Sequence, residues 1–133
     1  MERTLDEQQP LRGKRILIAD DEFLIVATIE DTLRDAGADT VAALESATAL
    51  KMAGEERLSA AILDVSLGRH SIEAVADALA ARNVPFMFYS GQEPPDRLRA
   101  KYPHAKLLLK PARQCELIEA IAETSDGRAL APS

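Results

Sequence analysis

Several polar residues stand where short apolar runs stop. Asp20 and Asp21 follow Arg15-Ile-Leu-Ile-Ala19, Asp64 follows Ala60-Ala-Ile-Leu63, Ser90 follows Pro85-Phe-Met-Phe-Tyr89, and Lys110 follows Lys106-Leu-Leu-Leu109. Two adjacent acids and a third repel one another unless a cation lies between them. Mg²⁺ is the natural candidate, since it prefers carboxylate and water oxygens in octahedral geometry and often keeps positions for a phosphate. The Ser90 hydroxyl and the fixed charge of Lys110 add what a phosphoryl group on a carboxylate oxygen needs. Each residue alone has an ordinary explanation. Asp20, Asp21 and Glu22 can be acids at a helix N-terminus, where the dipole favours them. Serine suits a strand-to-loop turn, and lysine before proline is common on surfaces. The combination is more specific than any member.

Short continuous apolar runs read as strands buried on both faces of a parallel sheet, so the polar residues at their carboxyl ends collect along one edge. The segments between them read as helices. From about Glu22 to Ala36, Ile25, Ile29 and Leu33 mark a buried stripe, and Gly37 suits a left-handed stop. Asp39 to Leu44 reads as a strand, Ser46 as the cap of a short helix to about Ala53, and Gly54 as its end. After the strand at 59–64, Ser71 can cap a helix ending near Arg82, whose Ile72, Val75, Ala76 and Leu79 keep helical spacing. Gln92-Glu-Pro-Pro95 opens at best a short, mobile helix through about Lys101, because Pro103 stops it. The last helix spans about Ala112 to Glu123, with Leu117, Ile118 and Ile121 inward and Glu116, Glu119 and Glu123 outward. Five strands alternating with five helices predict an α/β doubly wound parallel sheet with right-handed crossovers. Ligands in such sheets bind beyond the strands' carboxyl ends.

Length and composition narrow the function classes. At 133 residues the chain suits one domain, expected as a polar, flexible or loosely packed leader over 1–13, a body over 14–124 and a tail over 125–133. No stretch reaches the roughly 18 apolar residues of a membrane span, and the N-terminus lacks a signal-peptide layout, so a cytoplasmic protein is expected. The single cysteine, Cys115, excludes an internal disulfide framework and reads as a small packing residue of the last helix. A net charge of −6 disfavours direct nucleic-acid binding. His70 and His104 lack metal-ligand spacing to other donors and read as surface loop residues. Arg97, Arg99 and Lys101 form either a partner-facing strip or, on the simpler reading, a solvated helix face.

With its motifs assembled, the chain resembles the receiver domains of bacterial two-component response regulators, the CheY-like superfamily. The matching segments are Ile-Leu-Ile-Ala-Asp-Asp-Glu (16–22), Ala-Ile-Leu-Asp-Val-Ser-Leu-Gly (61–68), Pro-Phe-Met-Phe-Tyr-Ser-Gly (85–91) and Leu-Leu-Leu-Lys-Pro (107–111). The resemblance implies a flavodoxin-like strand order 2-1-3-4-5. It makes Asp64 the phosphoacceptor, taking a phosphoryl group from a phosphohistidine on a sensor histidine kinase or histidine phosphotransfer protein. It further implies that Asp21 and Asp64 hold Mg²⁺ directly and Asp20 through water, with the Ser66 backbone carbonyl completing the protein ligands. Lys110 would pair with the phosphoryl oxygens, Ser90 would move to hydrogen-bond the phosphate, and Pro111 would carry a cis peptide. Such a domain is a phosphoacceptor rather than an enzyme with a separate substrate, although self-phosphorylation from small phosphodonors and autodephosphorylation are expected.

The pattern departs from the common one where many receivers place an aromatic residue, at Leu107. The aromatics crowd the fourth strand instead, with Phe86, Phe88 and Ser90 on one side and Met87 and Tyr89 on the other. This arrangement resembles the atypical "FAT GUY" group, associated with alphaproteobacteria and often with kinases of the HWE class, although Tyr89 and Ser90 replace its alanine and threonine. Activation is then expected to be read through ordering of 91–101. Tyr89 is either a substitute switch or, more simply, a ring packed under a helix with its hydroxyl in solvent. The leading reading is a stand-alone response regulator acting on a protein target in trans or within a phosphorelay. Alternatives are a receiver portion of a hybrid kinase or larger regulator, a receiver-fold binding module that needs no phosphorylation, and a haloacid-dehalogenase-like phosphatase. The last wants an acid where Ser66 stands.

Overall fold

The computed structural model describes residues 9–67 and 69–126. Five parallel strands, β1 (Arg15–Ala19), β2 (Asp39–Ala43), β3 (Ala60–Leu63), β4 (Phe86–Ser90) and β5 (Leu107–Leu109), form one sheet in the order β2-β1-β3-β4-β5. Between and after them run α1 (Phe23–Asp35), α2 (Ser46–Glu55), α3 (Arg69–Ala81), α4 (Asp96–Lys101) and α5 (Gln114–Ser125), with a 3₁₀ turn over Val65–Leu67. This is the doubly wound sheet expected from the alternating runs, in the flavodoxin-like order that the resemblance implied.

Strand alternation divides the core between two layers. Leu17, Ala19, Ala61, Leu63, Phe86 and Phe88 pack with residues of α2, α3 and α4, while Ile16, Ile18, Ala60, Ile62, Met87 and Tyr89 face α1 and α5. The side-by-side assignment of the fourth-strand aromatics therefore holds. In α1 the buried stripe is Val26, Ile29, Thr32 and Leu33, so the helix is rotated slightly from the expected one and Ile25 is only half-buried. Ile72, Val75, Ala76 and Leu79 of α3 are all fully buried.

Two helices stop by the same device. Gly37 at φ +100° follows α1, its N–H bonding the Arg34 carbonyl while Ala38 N–H bonds that of Leu33. Asn83 at φ +59° follows α3 with matching bonds to the Ala80 and Leu79 carbonyls. Both are Schellman closures, with the left-handed position filled by residue types that tolerate it.

Several local expectations are corrected. Ser46 is the first residue of α2, after a Glu45 N-cap that makes no side-chain bond, and the helix runs on through Gly54 to Glu55. The α3 helix begins at Arg69, ahead of Ser71, so His70 lies on a helix rather than in a loop. The side chains of His70 and Ser71, with Gly68, residues 1–8 and residues 127–133, lie outside the described residues. The end of the expected loose leader is packed: Leu11 is fully buried and its N–H bonds the Ala36 carbonyl at 2.9 Å. Cys115 is exposed in the first turn of α5, because Leu117 and Ile121 take the inward face. That helix starts at Gln114 rather than Ala112, since Arg113 is extended at ψ 154° and acts as the N-cap, its N–H bonding the Glu116 carboxylate.

Candidate functional site

Parallel pairing of β1 with β3, β3 with β4 and β4 with β5 places Asp20, Asp64, Ser90 and Lys110 along one edge. Their side chains touch. Lys110 Nζ donates to Asp20 Oδ2 at 2.7 Å and to Asp64 Oδ2 at 2.8 Å. The Ser90 hydroxyl donates to Asp64 Oδ1 at 2.9 Å, and the Ser66 N–H donates to the same oxygen at 3.0 Å. Asp20 Oδ1 accepts the Glu22 N–H at 2.9 Å. Asp21 stays exposed, its Oδ1 3.5 Å from the Ser66 hydroxyl. Asp20 and Asp64 are each only 2% exposed and Ser90 1%.

A helix-terminus role alone does not account for the acids in this geometry. Glu22 is the N-cap of α1 but makes no side-chain cap bond, and the first turn holds no acid. Asp20 instead turns toward Lys110, across the sheet edge.

Charge in the cluster is unevenly compensated. Burial pushes Asp64 up, but the bonds it accepts from Lys110, Ser66 and Ser90 outweigh that and hold it below the ordinary carboxylate range. Asp20 goes the other way, because burial outweighs its bonds from Lys110 and Glu22, and neighbouring Asp64 adds repulsion. Lys110 also loses solvent, yet its two carboxylate partners raise it above its ordinary value. One ammonium stands beside three carboxylates and bonds two of them. Oxygens of Asp20, Asp21 and Asp64 lie within 4.8 Å of one another, and an all-oxygen set of this charge suits a hard divalent cation.

The Lys110–Pro111 peptide is cis, as the resemblance implied. Leu107 packs half-buried against the layer that holds Phe88 and Tyr102. Tyr89 departs from the simpler expectation: its ring is packed, but its hydroxyl oxygen accepts the Ala112 N–H at 3.2 Å instead of pointing to solvent.

A second polar cluster was not read from the sequence. Lys101 Nζ donates to Glu73 at 3.1 Å and Asp77 at 3.0 Å, Arg97 reaches Glu73 at 3.4 Å, and the Tyr102 hydroxyl donates to Asp77. The cations at 97 and 101 are thus paired with acids of α3, and Arg99 pairs with Glu93 at 3.6 Å. Exposed yet paired, these cations form the solvated helix face of the simpler reading rather than a free partner-facing strip. A sequence signal existed, since Glu73 and Asp77 are spaced four apart on one helix and Arg97 and Lys101 four apart on the other. His104 is exposed, as expected.

Burial, then the bond to the Asp77 carboxylate, pushes the Tyr102 phenol up from 10.0 to about 12. A raised pKa of this kind contributes stability that is present below pH 10 and lost as pH rises through about 12. In an ultraviolet titration of tyrosinate, Asp77→Asn is expected to bring Tyr102 back toward its ordinary value. An unmoved titration would mean that burial alone holds it.

No family model and no curated protein matches the sequence, but solved structures do. A response regulator receiver protein from Sinorhizobium medicae is 25% identical, with a TM-score of 0.71, covering 89% of this chain and 98% of that one. A CheY-like receiver domain protein from Methanospirillum hungatei is 23% identical, with a TM-score of 0.76 over 86% of this chain and 95% of that one. The fold is that of a response-regulator receiver domain. A third receiver of this fold belongs to a sensor histidine kinase of Pseudomonas aeruginosa and has a magnesium ion coordinated in its active-site cleft. It is 23% identical, with a TM-score of 0.70 over 86% of this chain and 98% of that one. In the present receiver fold the acids, the serine and the lysine gather at the strands' carboxyl edge, and no described helix is long and apolar enough to cross a membrane.

Proposed function

We propose that the chain is a single-domain response regulator of the cytoplasm. Asp64 accepts a phosphoryl group from a phosphohistidine on a sensor histidine kinase or histidine phosphotransfer protein. The phosphorylated form then signals by binding a protein in trans or by relaying the group onward. The observation that carries this reading is the Asp64 carboxylate held between the Ser90 hydroxyl at 2.9 Å and the Lys110 ammonium at 2.8 Å. A kinase of the HWE class and the FAT GUY subgroup are favoured by Phe86, Phe88 and the lack of an aromatic at Leu107.

Phosphoryl transfer to a carboxylate needs positioning and charge neutralisation more than covalent chemistry. Held in its ionised form, Asp64 presents a carboxylate oxygen to phosphorus; the P–O bond forms as the P–N bond of phosphohistidine breaks, and the imidazole leaves and takes up a proton. Asp21 and Asp64, with the Ser66 carbonyl and Asp20 through water, would hold Mg²⁺, which would supply neutralisation of the phosphoryl oxygens. Lys110 supplies a second positive charge. The Ser90 hydroxyl, already on Asp64 Oδ1, can turn to a phosphoryl oxygen. Phe23 and Leu24, 67% and 77% exposed just after Asp21 and Glu22, offer apolar surface for the phosphodonor protein to cover.

Incubation with Mg²⁺ and acetyl phosphate tests the proposal. The wild type is expected to gain about 80 Da by intact mass, labile to hydroxylamine, and Asp64→Asn to gain nothing. An adduct that persists in Asp64→Asn, or none in the wild type, would overturn the assignment. The second outcome would favour the phosphorylation-independent binding module.

A further inference from the structure

The geometry points to Tyr89 as a positioning residue for Lys110, through which the charge state of Asp64 reaches the groove between α1 and α5. The inference rests on Asp64 being the phosphoacceptor and adds a route for the response. Tyr89 precedes Ser90 on β4, so its side chain leaves the opposite face of the sheet and enters the layer of α1 and α5. There it touches the β5–α5 connection twice. Its ring lies 5.7 Å from Lys110 Nζ, and its hydroxyl oxygen accepts the Ala112 N–H at 3.2 Å. One buried ring therefore grips the lysine and the second residue after it.

Lys110 divides its bonds between Asp20 and Asp64. A phosphoryl group on Asp64 adds charge and acceptor oxygens beyond the carboxylate, so the ammonium must redistribute its bonds outward. Its position over the ring changes with it. A tyrosine has two side-chain torsions, and its hydroxyl cannot follow Ala112 unless the ring moves as well. That ring lines an open cavity of about 270 Å³ with Ile25, Ile29, Pro111, Ala112 and Leu117. On the other face, Leu107, which pairs with Phe88, has no polar side-chain atom, and Tyr102 is tied to Asp77 instead.

The chain's tyrosines make the route observable, because Tyr89 and Tyr102 are its only two and it has no tryptophan. In full-length Tyr102→Phe, Mg²⁺ with beryllofluoride is expected to change tyrosine emission in step with the bound ¹⁹F resonance. In Tyr89→Phe the emission of Tyr102 should stay constant while fluoride binds. Tyr89→Leu is expected to slow phosphorylation by acetyl phosphate about three- to tenfold, the scale of a partly desolvated cation–π contact, and Tyr89→Phe to recover most of that loss. An emission change in Tyr89→Phe with none in Tyr102→Phe would overturn the inference and place the response on α4. So would wild-type rates in a folded Tyr89→Leu; if that variant does not fold, the two emission experiments decide. Absence of bound fluoride in the wild type would instead overturn the phosphoacceptor reading itself, and this inference with it.

Discussion

Lys110→Ala is expected to cost the protein both its chemistry and a large part of its stability. Removing one charged donor from a preorganised phosphoryl site slows transfer by about a hundred- to a thousandfold, which acetyl phosphate kinetics at fixed Mg²⁺ would read. The stability effect has a separate origin. Asp20 and Asp64 are both 2% exposed and share this ammonium, so its loss leaves two buried carboxylates facing each other. Breaking such a buried pair costs about 3–5 kcal/mol, a large share of the roughly 5–15 kcal/mol that holds a domain together. Urea melts in EDTA should show the full deficit. Mg²⁺ should recover much of it, because a cation among the acids replaces the lost charge, while the rate stays low. Lowering pH should also shrink the deficit. Asp20 already sits above the ordinary carboxylate value of 3.8, and without Lys110 one of the pair keeps its proton more readily. Equal melts for variant and wild type in EDTA would show that the cluster carries no stored repulsion.

The layout of the site was legible because a parallel sheet converts chain order into spatial order. Once 16–19, 61–63, 86–89 and 107–109 are read as buried strands, their polar successors must share an edge. Asp20, Asp64, Ser90 and Lys110 do share it, within direct hydrogen-bonding distance. Helix stops were legible only where backbone geometry demands a particular residue. Gly37 takes the left-handed position, but Gly54 does not, and Asn83 does the same work after α3 without having been singled out. What escaped the sequence was side-chain pairing between elements. Nothing local says that Tyr102 will reach Asp77, or that the Ala112 amide will be claimed by Tyr89. Cys115 was misplaced for a related reason: in a helix whose inward face is already filled by Leu117 and Ile121, residue size does not decide burial. Leu11 was missed because a single apolar residue in a polar stretch has no periodicity to reveal it.

Phe86→Ala is expected to be the most destabilising substitution in the layer beneath α4. The ring is fully buried and stands edge-on to Phe88 at 5.8 Å and to Tyr102 at 5.0 Å. Truncating a buried phenylalanine to alanine costs about 3–5 kcal/mol, since surrounding groups only partly fill the cavity. Aromatic contacts of this geometry account for about 0.5–1.5 kcal/mol each beyond area. Phe86→Leu refills much of the volume and stacks on neither ring, so the gap between the two variants in urea melts reads what refilling the cavity recovers. The consequence reaches the surface. Tyr102 is held between the Phe86 ring and the Asp77 carboxylate, and with its floor removed the phenol gains solvent. Its titration should therefore fall from about 12 toward the ordinary value of 10.0, the same change expected for Asp77→Asn but by the loss of burial instead of the loss of charge. A Phe86→Ala protein that melts within about 1 kcal/mol of wild type would mean that α4 settles into the space, and the α3–α4 pairs alone would then be what fixes that helix.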